Sequence, residues 1–483
     1  MGKDIERLEF TREDRTRYRA KVQANLDALT RMLADSPFEC DRPLTGLEIE
    51  LNLVDDREEP AMRNAAVLEA IADPAFVTEL GQWNVEINVP PDVLEGDGLA
   101  RVESRVRASL NAAEEHAAGM GVHMVMIGIL PTLRQEQLSH EVLSANPRYS
   151  LLNQQILAAR GEDVHLEIDG VERLVARCDS IAPEAACTSV QFHLQVTPDN
   201  FADYWNAAQC LAGVQLAMAA NSPYLFGKQL WHETRIPLFE QAADTRAEEL
   251  KVQGVRPRVW FGERYITSIF DLFEENVRYF PSLLPILDDE DPLEALGAGQ
   301  VPNLNELTLH NGTIYRWNRP VYAVVNGRPH LRVENRVLPA GPTVADIMAN
   351  AAFYFGLVRV IAEADRPLWT QMSFNAAEEN FRIGARYGID SVLYWPGLGA
   401  VPATELVLRR LLPMAAEGLD RWGMARQHQE RLLGIIGQRC RTARNGASWQ
   451  IAAAARHNGS LSSMLAEYRE RMHSNVPVHE WPA

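Results

Sequence analysis

Residues 46–55 read G-L-E-I-E-L-N-L-V-D, and the alternation in this stretch decides how the rest of the chain is read. Leu47, Ile49, Leu51 and Leu53 fall on one side of an extended segment. Glu48, Glu50 and Asn52 fall on the other, as in a strand with one face in a core. Alternate side chains on one strand face stand roughly 7 Å apart. Two ionised carboxylates at that distance repel by on the order of 2–3 kcal/mol at an effective dielectric of about 20. Either this face is open to solvent, or a divalent cation sits between the acids, since Mg²⁺ takes oxygen ligands.

Three more stretches repeat the pattern. Residues 83–91 (W-N-V-E-I-N-V-P-P) set Trp83, Val85, Ile87 and Val89 against Asn84, Glu86 and Asn88. Residues 189–198 (S-V-Q-F-H-L-Q-V-T-P) set Val190, Phe192, Leu194 and Val196 against Gln191, His193 and Gln195. Residues 330–339 (H-L-R-V-E-N-R-V-L-P) set Leu331, Val333 and Val337 against His330, Arg332, Glu334 and Arg336. The polar faces hold Glu, Asn, Gln, His and Arg, no Lys, and Thr or Ser only at their ends. That is a poor composition for a solvated face. It suits a polar cavity with carboxylates for a metal ion, arginines for phosphate or carboxylate, and amides for orientation.

The length, 483 residues, suggests two or three domains. The four strands, scattered between residues 46 and 339, argue instead for one large sheet assembled from distant segments. The composition, 46% hydrophobic and 23% charged, is that of an ordinary globular protein. A formal net charge of −18 disfavours nucleic acid and anionic membrane surfaces as partners. It does not disfavour ATP, whose phosphates meet local arginines and Mg²⁺. The five cysteines (Cys40, Cys178, Cys187, Cys210 and Cys440) show no C-x-x-C spacing, so a zinc site or disulfide framework is not indicated and a cytoplasmic setting is expected. No G-x-x-x-x-G-K-[ST], no G-x-G-x-x-G after a strand and no H-E-x-x-H occurs.

Helices are expected at 13–34, 60–71, 99–119, 199–219, 343–365 and 373–387, and almost continuously from 402 to 471. Asn146-Pro147-Arg148-Tyr149 opens another. A buried strand is expected at 123–130, a hairpin turn at 168–171, and a strand pair within 310–325 carrying His310, Arg316 and Arg319. Residues 286–306 read as a loop, 477–482 as an extended tail, and Gly81 as a turn or bulge between Glu79 and Glu86.

In these motifs the chain resembles the type 2 glutamate–cysteine ligase and carboxylate–amine ligase family, within the glutamine synthetase superfamily. The resemblance rests on G-L-E-I-E-L and on Glu79 and Glu86 in E-L-G-Q-W-N-V-E-I-N-V-P-P. S-V-Q-F-H-L, A-N-S-P-Y-L-F-G at 220–227, V-E-N-R-V at 333–337 and E-N-F-R-I-G-A-R-Y-G-I-D at 379–390 follow in order. It implies an α+β, glutamine synthetase-like catalytic domain over residues 1–400, with a curved, mainly antiparallel sheet forming a funnel flanked by helices. Residues 401–483 would be a helical extension packed on it. It also implies ATP-dependent amide formation through an acyl phosphate with Mg²⁺. The carboxylate would be the side chain of glutamate or a similar acid, and the amine one such as cysteine. Another amine, or a non-catalytic regulator binding nucleotide or amino acid on the same fold, are the alternatives. A homo-oligomer is open.

On this reading Glu48, Glu50 and Glu86 hold metal, joined by Glu334 and His193. Gln191 contacts the nucleotide, and Arg336 meets the transferred phosphoryl group. Arg235, Glu79 and Arg148 contact substrate. Arg382 and Arg386, four residues apart on one helix face, either face the nucleotide or pair with Glu378 and Glu379. Two departures from the family's pattern adjoin Arg336: Asn335 replaces an apolar residue, and Leu338-Pro339 replaces an acid.

Overall fold

A computed structural model of the chain describes residues 10–40 and 42–482. Seven strands form its central sheet: β1 (Thr45–Asp55), β2 (Phe76–Thr78), β3 (Asn84–Asp92), β4 (Val122–Val125), β5 (Val190–Val196), β6 (Asn318–Val325) and β7 (Arg328–Asn335). Their order is β6-β7-β5-β1-β3-β2, with β4 also beside β1. Every neighbouring pair is antiparallel, and the sheet curls into a half-barrel.

The register joins like to like. Ile49 stands opposite Ile87, and Leu47 opposite Phe192. On the other face Glu50 opposes Glu86, Glu48 opposes Asn88 and Gln191, and Glu334 opposes His193. A one-residue slip would carry the acids into the apolar layer, so burial of one face fixes the pairing.

Helices cover the apolar face. Of the helices on the two sides of the sheet, five are labelled here, α1 (Arg12–Asp35), α2 (Pro147–Arg160), α3 (Phe201–Ala219), α4 (Val344–Ala362) and α5 (Phe374–Tyr387), and α2 lies on the polar side. Phe192 of β5 packs against Tyr354 and Phe355 of α4, with ring centroids 6.1 and 5.8 Å away. α4 is long and apolar enough to cross a membrane, but 94% of its apolar stretch is buried inside the protein. α3 and α5 cross closely at Gly213 and Gly384; a Cβ on Gly384 would stand 2.3 Å from the Gly213 carbonyl oxygen.

The C-terminal helices tie into the same core. Arg439 donates to Asp346 at 2.7 Å, both fully buried. Asn221, in the A-N-S-P motif, donates to the Ala340 carbonyl and to Tyr468 Oη at 2.7 and 2.8 Å and accepts from Gln450.

Most expected elements are present, with boundaries shifted at several. The helix expected at 60–71 starts at Asn64. The strand expected at 123–130 ends at Val125, because the chain beyond it is held differently: the Gly128 carbonyl accepts from the Thr188 N–H and the Gly128 N–H donates to Asn221. His310 is not on a strand but on the helix Asn305–Asn311, where its Nε2 lies 2.8 Å from the Asn276 carbonyl. Residues 286–306 contain the helix Pro292–Gly297. The expected extended tail makes a 3₁₀ turn at Val478–Glu480.

Candidate active site

The polar face of the sheet floors a cleft of about 420 Å³. Its side walls come from α2, the helices Ala182–Ala185 and Arg235–Ala242, and residues 312–319. Strand alternation alone puts Glu48, Glu50, Glu86, Asn88 and Gln191 on this floor. Glu79 arrives by another route. β2 runs antiparallel to β3, with Val77 opposite Glu86, so the hairpin brings Glu79 back over the same face. Gly81 lies in that turn, where a Cβ would meet Asn84 Oδ1 at 2.5 Å.

Among the described residues, one oxygen each from Glu50, Glu79 and Glu86 lie within 4.8 Å of one another. Glu50 accepts from the Ser189 N–H at 2.6 Å and from Gln191 Nε2 at 2.9 Å. Glu86 accepts from Asn88 at 2.8 Å, and Glu79 from the Leu80 N–H at 3.0 Å. Burial, and then the charges of Glu50 and Glu48, push the Glu79 carboxyl up to about 7. Burial, followed by the charges of Glu79, Glu48 and Glu50, pushes Glu86 well above the ordinary range. Burial also raises Glu50, although Arg336 and the Ser189 N–H oppose it. A divalent cation among these three carboxylates would relieve the repulsion that suppresses their ionisation, and an all-oxygen donor set of this kind fits Mg²⁺.

Glu48, His193 and Glu334 lie outside that triad. His193 is 3% exposed, with Nε2 3.1 Å from Glu48 and Nδ1 4.0 Å from Glu334. Burial works to raise Glu48, but His193 outweighs it and the carboxyl shifts down. Glu334, 1% exposed, accepts from Arg319 at 2.8 and 3.2 Å and from Arg336 Nη1 at 2.6 Å. Burial alone would raise it; the two guanidinium charges hold it far below the usual carboxylate range. The sequence reading made Glu334 a metal ligand. In the structure both its oxygens accept from arginines.

Arg336 Nη1 also donates to Gln191 Oε1 at 2.6 Å. Gln191 therefore bridges the acid triad and Arg336, donating to Glu50 and accepting from Arg336. The guanidinium keeps its charge, because the acids around it outweigh the effect of burial. It faces the cleft with Nε and Nη2 making no hydrogen bond among the described residues. The departures beside it leave this corner intact. Asn335 points away from the cleft, donating to Gln215 at 3.2 Å and Asn318 at 2.8 Å. The Leu338 carbonyl continues the sheet by accepting from the Val190 N–H at 3.1 Å.

Arg235 and Arg148 line the cleft as well. Arg235 is 3% exposed; Nε donates to Glu233 at 3.0 Å, another nitrogen donates to the Val337 carbonyl, and Trp317 lies under the guanidinium. Arg148 stands on the first turn of α2, beside Gly312. Arg382 and Arg386 are elsewhere. Arg382 pairs with Glu240 and Glu378 at 3.2 and 3.4 Å, and both arginines line a separate surface groove with Trp231 and Tyr387. The structure does not bring them to the acidic cleft.

Two cleft residues escaped the sequence reading. Arg319, seen there only as part of a strand pair, reaches the cleft because β6 pairs with β7. Glu184 lies on the short helix before β5, where no periodicity marks it. Burial, and then the charge of Glu79, push its carboxyl up to about 8.

A model of glutamate-cysteine ligase family 2 (GCS2) matches residues 44–467. Among solved structures, the glutamate–cysteine ligase of Francisella tularensis in complex with AMP is similar. It is 12% identical over 90% of this chain and 90% of that one, with a TM-score of 0.58, a likeness of fold. A bifunctional glutathione synthetase from Pasteurella multocida is 12% identical over 94% of this chain and 55% of its own, with a TM-score of 0.47. No curated protein sequence matches the chain.

Proposed function

The chain belongs to glutamate-cysteine ligase family 2, and on that premise we propose that it is a carboxylate–amine ligase. It uses ATP and Mg²⁺ to make an amide through an acyl phosphate, with the side-chain carboxylate of glutamate as acceptor of the phosphoryl group. The observation that carries this reading is the union, on one sheet face, of the Glu50–Glu79–Glu86 triad and the Arg336 guanidinium, bridged by Gln191. Mg²⁺ bound by the triad would supply charge neutralisation for the polyphosphate.

The chain's own groups do the rest. Arg336, aimed by Glu334 and Gln191, meets the charge that grows on the transferred phosphoryl oxygens. Arg235 offers a planar fork, already oriented by Glu233 and the Val337 carbonyl, to a substrate carboxylate. Gln191 fixes the distance between triad and arginine, so metal and phosphoryl sites move as one unit. The intact Arg336 corner favours a catalyst over a regulator that only binds. On this reading the protein is a cytoplasmic ligase of small molecules.

The test is product analysis. ATP incubated with Mg²⁺, glutamate and a panel of primary amines should yield ADP and phosphate only when acid and amine are both present. AMP and pyrophosphate would mean that the carboxylate is adenylated and that the mechanism is wrong.

A further inference from the structure

The cleft has a wall that the acidic floor does not use. Leu152 of α2, Phe239 and Leu284 line it with apolar surface. Glu184 lines the cleft too, and Tyr315, beside its carboxyl, packs its ring against Phe239 at 5.2 Å. The Glu184 Oε2 is buried and has no hydrogen-bond partner among the described residues. The Tyr315 hydroxyl lies beside the carboxyl, and no Lys, Arg or His forms an ion pair with Glu184 among the described residues. The Arg336 charge favours ionisation of Glu184, but burial and the Glu79 charge outweigh it; a cation from outside that docks at the cleft wall would tip the group to the carboxylate.

A ligase of this class needs such a cation. A primary amine arrives at neutral pH as an ammonium ion, and it must lose a proton before its lone pair can attack. Building on the ligase reading, we propose that Glu184 receives the amine substrate: its carboxylate binds the ammonium group and takes one proton from it. The amine is then a primary amine with an apolar body, which Leu152, Phe239 and Leu284 accommodate.

The step balances. R–NH₃⁺ gives a proton to the Glu184 carboxylate and becomes R–NH₂. The nitrogen lone pair forms the C–N bond to the acyl carbon. The carbon–oxygen bond to phosphate breaks, and phosphate leaves with that electron pair. The second proton of the nitrogen goes to the departing phosphate. Glu184 touches the reacting nitrogen and is a catalytic residue in this scheme.

Hydroxylamine separates this role from the rest of the reaction, because it is uncharged at neutral pH and attacks an acyl phosphate without giving up a proton first. Glu184→Gln keeps the shape and removes the charge. The variant should trap glutamate as hydroxamate at nearly the wild-type rate. Its amide formation with primary amines should fall by on the order of 10²–10⁴-fold. The readout is the ratio of amide to hydroxamate, which partial loss of fold leaves unchanged. Glu184→Asp, which keeps the charge but retracts it by one methylene, should give an intermediate ratio. A wild-type ratio in both variants overturns the proposal, whether the two activities are unchanged or fall together. Wild-type protein that makes no hydroxamate with ATP and glutamate overturns the ligase reading itself, and this role with it.

Discussion

Replacing Arg336 with Ala lowers kcat by about 10²–10³-fold and leaves the KM for ATP nearly unchanged. The reason lies in how the guanidinium is held. Nη1 is committed to Gln191 and Glu334, each at 2.6 Å, while the remaining N–H groups face the cleft. Charge on the transferred phosphoryl oxygens grows as the bond to ADP breaks, so a fixed donor there stabilises the transition state more than bound ATP. Glu334→Gln should act in the same direction, since Arg336 and Arg319 bind opposite carboxylate oxygens and the amide turns one of those acceptors into an NH₂ donor, so that one arginine loses its anchor. Steady-state kinetics over an ATP and Mg²⁺ series read both effects. A change confined to the KM for ATP in Arg336→Ala makes the residue a binding group only.

Glu86→Gln abolishes Mg²⁺-dependent turnover, a loss on the order of 10³-fold or more for removal of a metal-binding charge, while it stabilises the metal-free fold. The second effect follows from the sign of the carboxyl shifts. Burial and neighbouring acids raise Glu79 from the ordinary 4.5 to about 7, and they push Glu86 well above the ordinary range. A carboxyl raised in the folded state holds its proton more tightly there than when unfolded. Stability therefore falls as pH rises from about 4.5 through about 7 for Glu79, and the loss is complete above that. Taking away the Glu86 charge relieves Glu79 and Glu50. In EDTA, the melting temperature of Glu86→Gln should exceed that of the wild type at pH 8, and the gap should narrow at pH 5. Mg²⁺ should stabilise the wild type at pH 8 and have little effect on the variant. Equal melting curves at pH 8, or retained turnover in the variant, contradict the metal site.

The sheet was legible because alternation with one buried face is a local signal, and parity alone assigns Glu48, Glu50, Glu86, Gln191 and Arg336 to one side. The family came from the resemblance carried by these strands and the other motifs, in their order along the chain. Pairing was not legible. That Glu50 faces Glu86, and that Glu334 is taken by Arg319, depend on strand order, which no single segment contains. Glu79 came from resemblance, and its place depends on a hairpin whose turn is fixed by Gly81. The A-N-S-P motif carried part of the resemblance but no role, and only the folded chain shows Asn221 joining the segment after β7 to the C-terminal helices. Arg382 and Arg386 drew notice for their spacing, which salt bridges along a helix surface produce equally well. Glu184 sits in a short, patternless helix, so only the folded cleft reveals it.

Oxygen transfer tests the acyl phosphate most directly. Glutamate labelled with ¹⁸O in its side-chain carboxylate is turned over with ATP, Mg²⁺ and an amine that supports the reaction, and the released phosphate is analysed by mass spectrometry. An acyl phosphate predicts that each phosphate carries one ¹⁸O from the acid, because the carbon–oxygen bond breaks when the amine attacks. Unlabelled phosphate, or label found in AMP, contradicts the account.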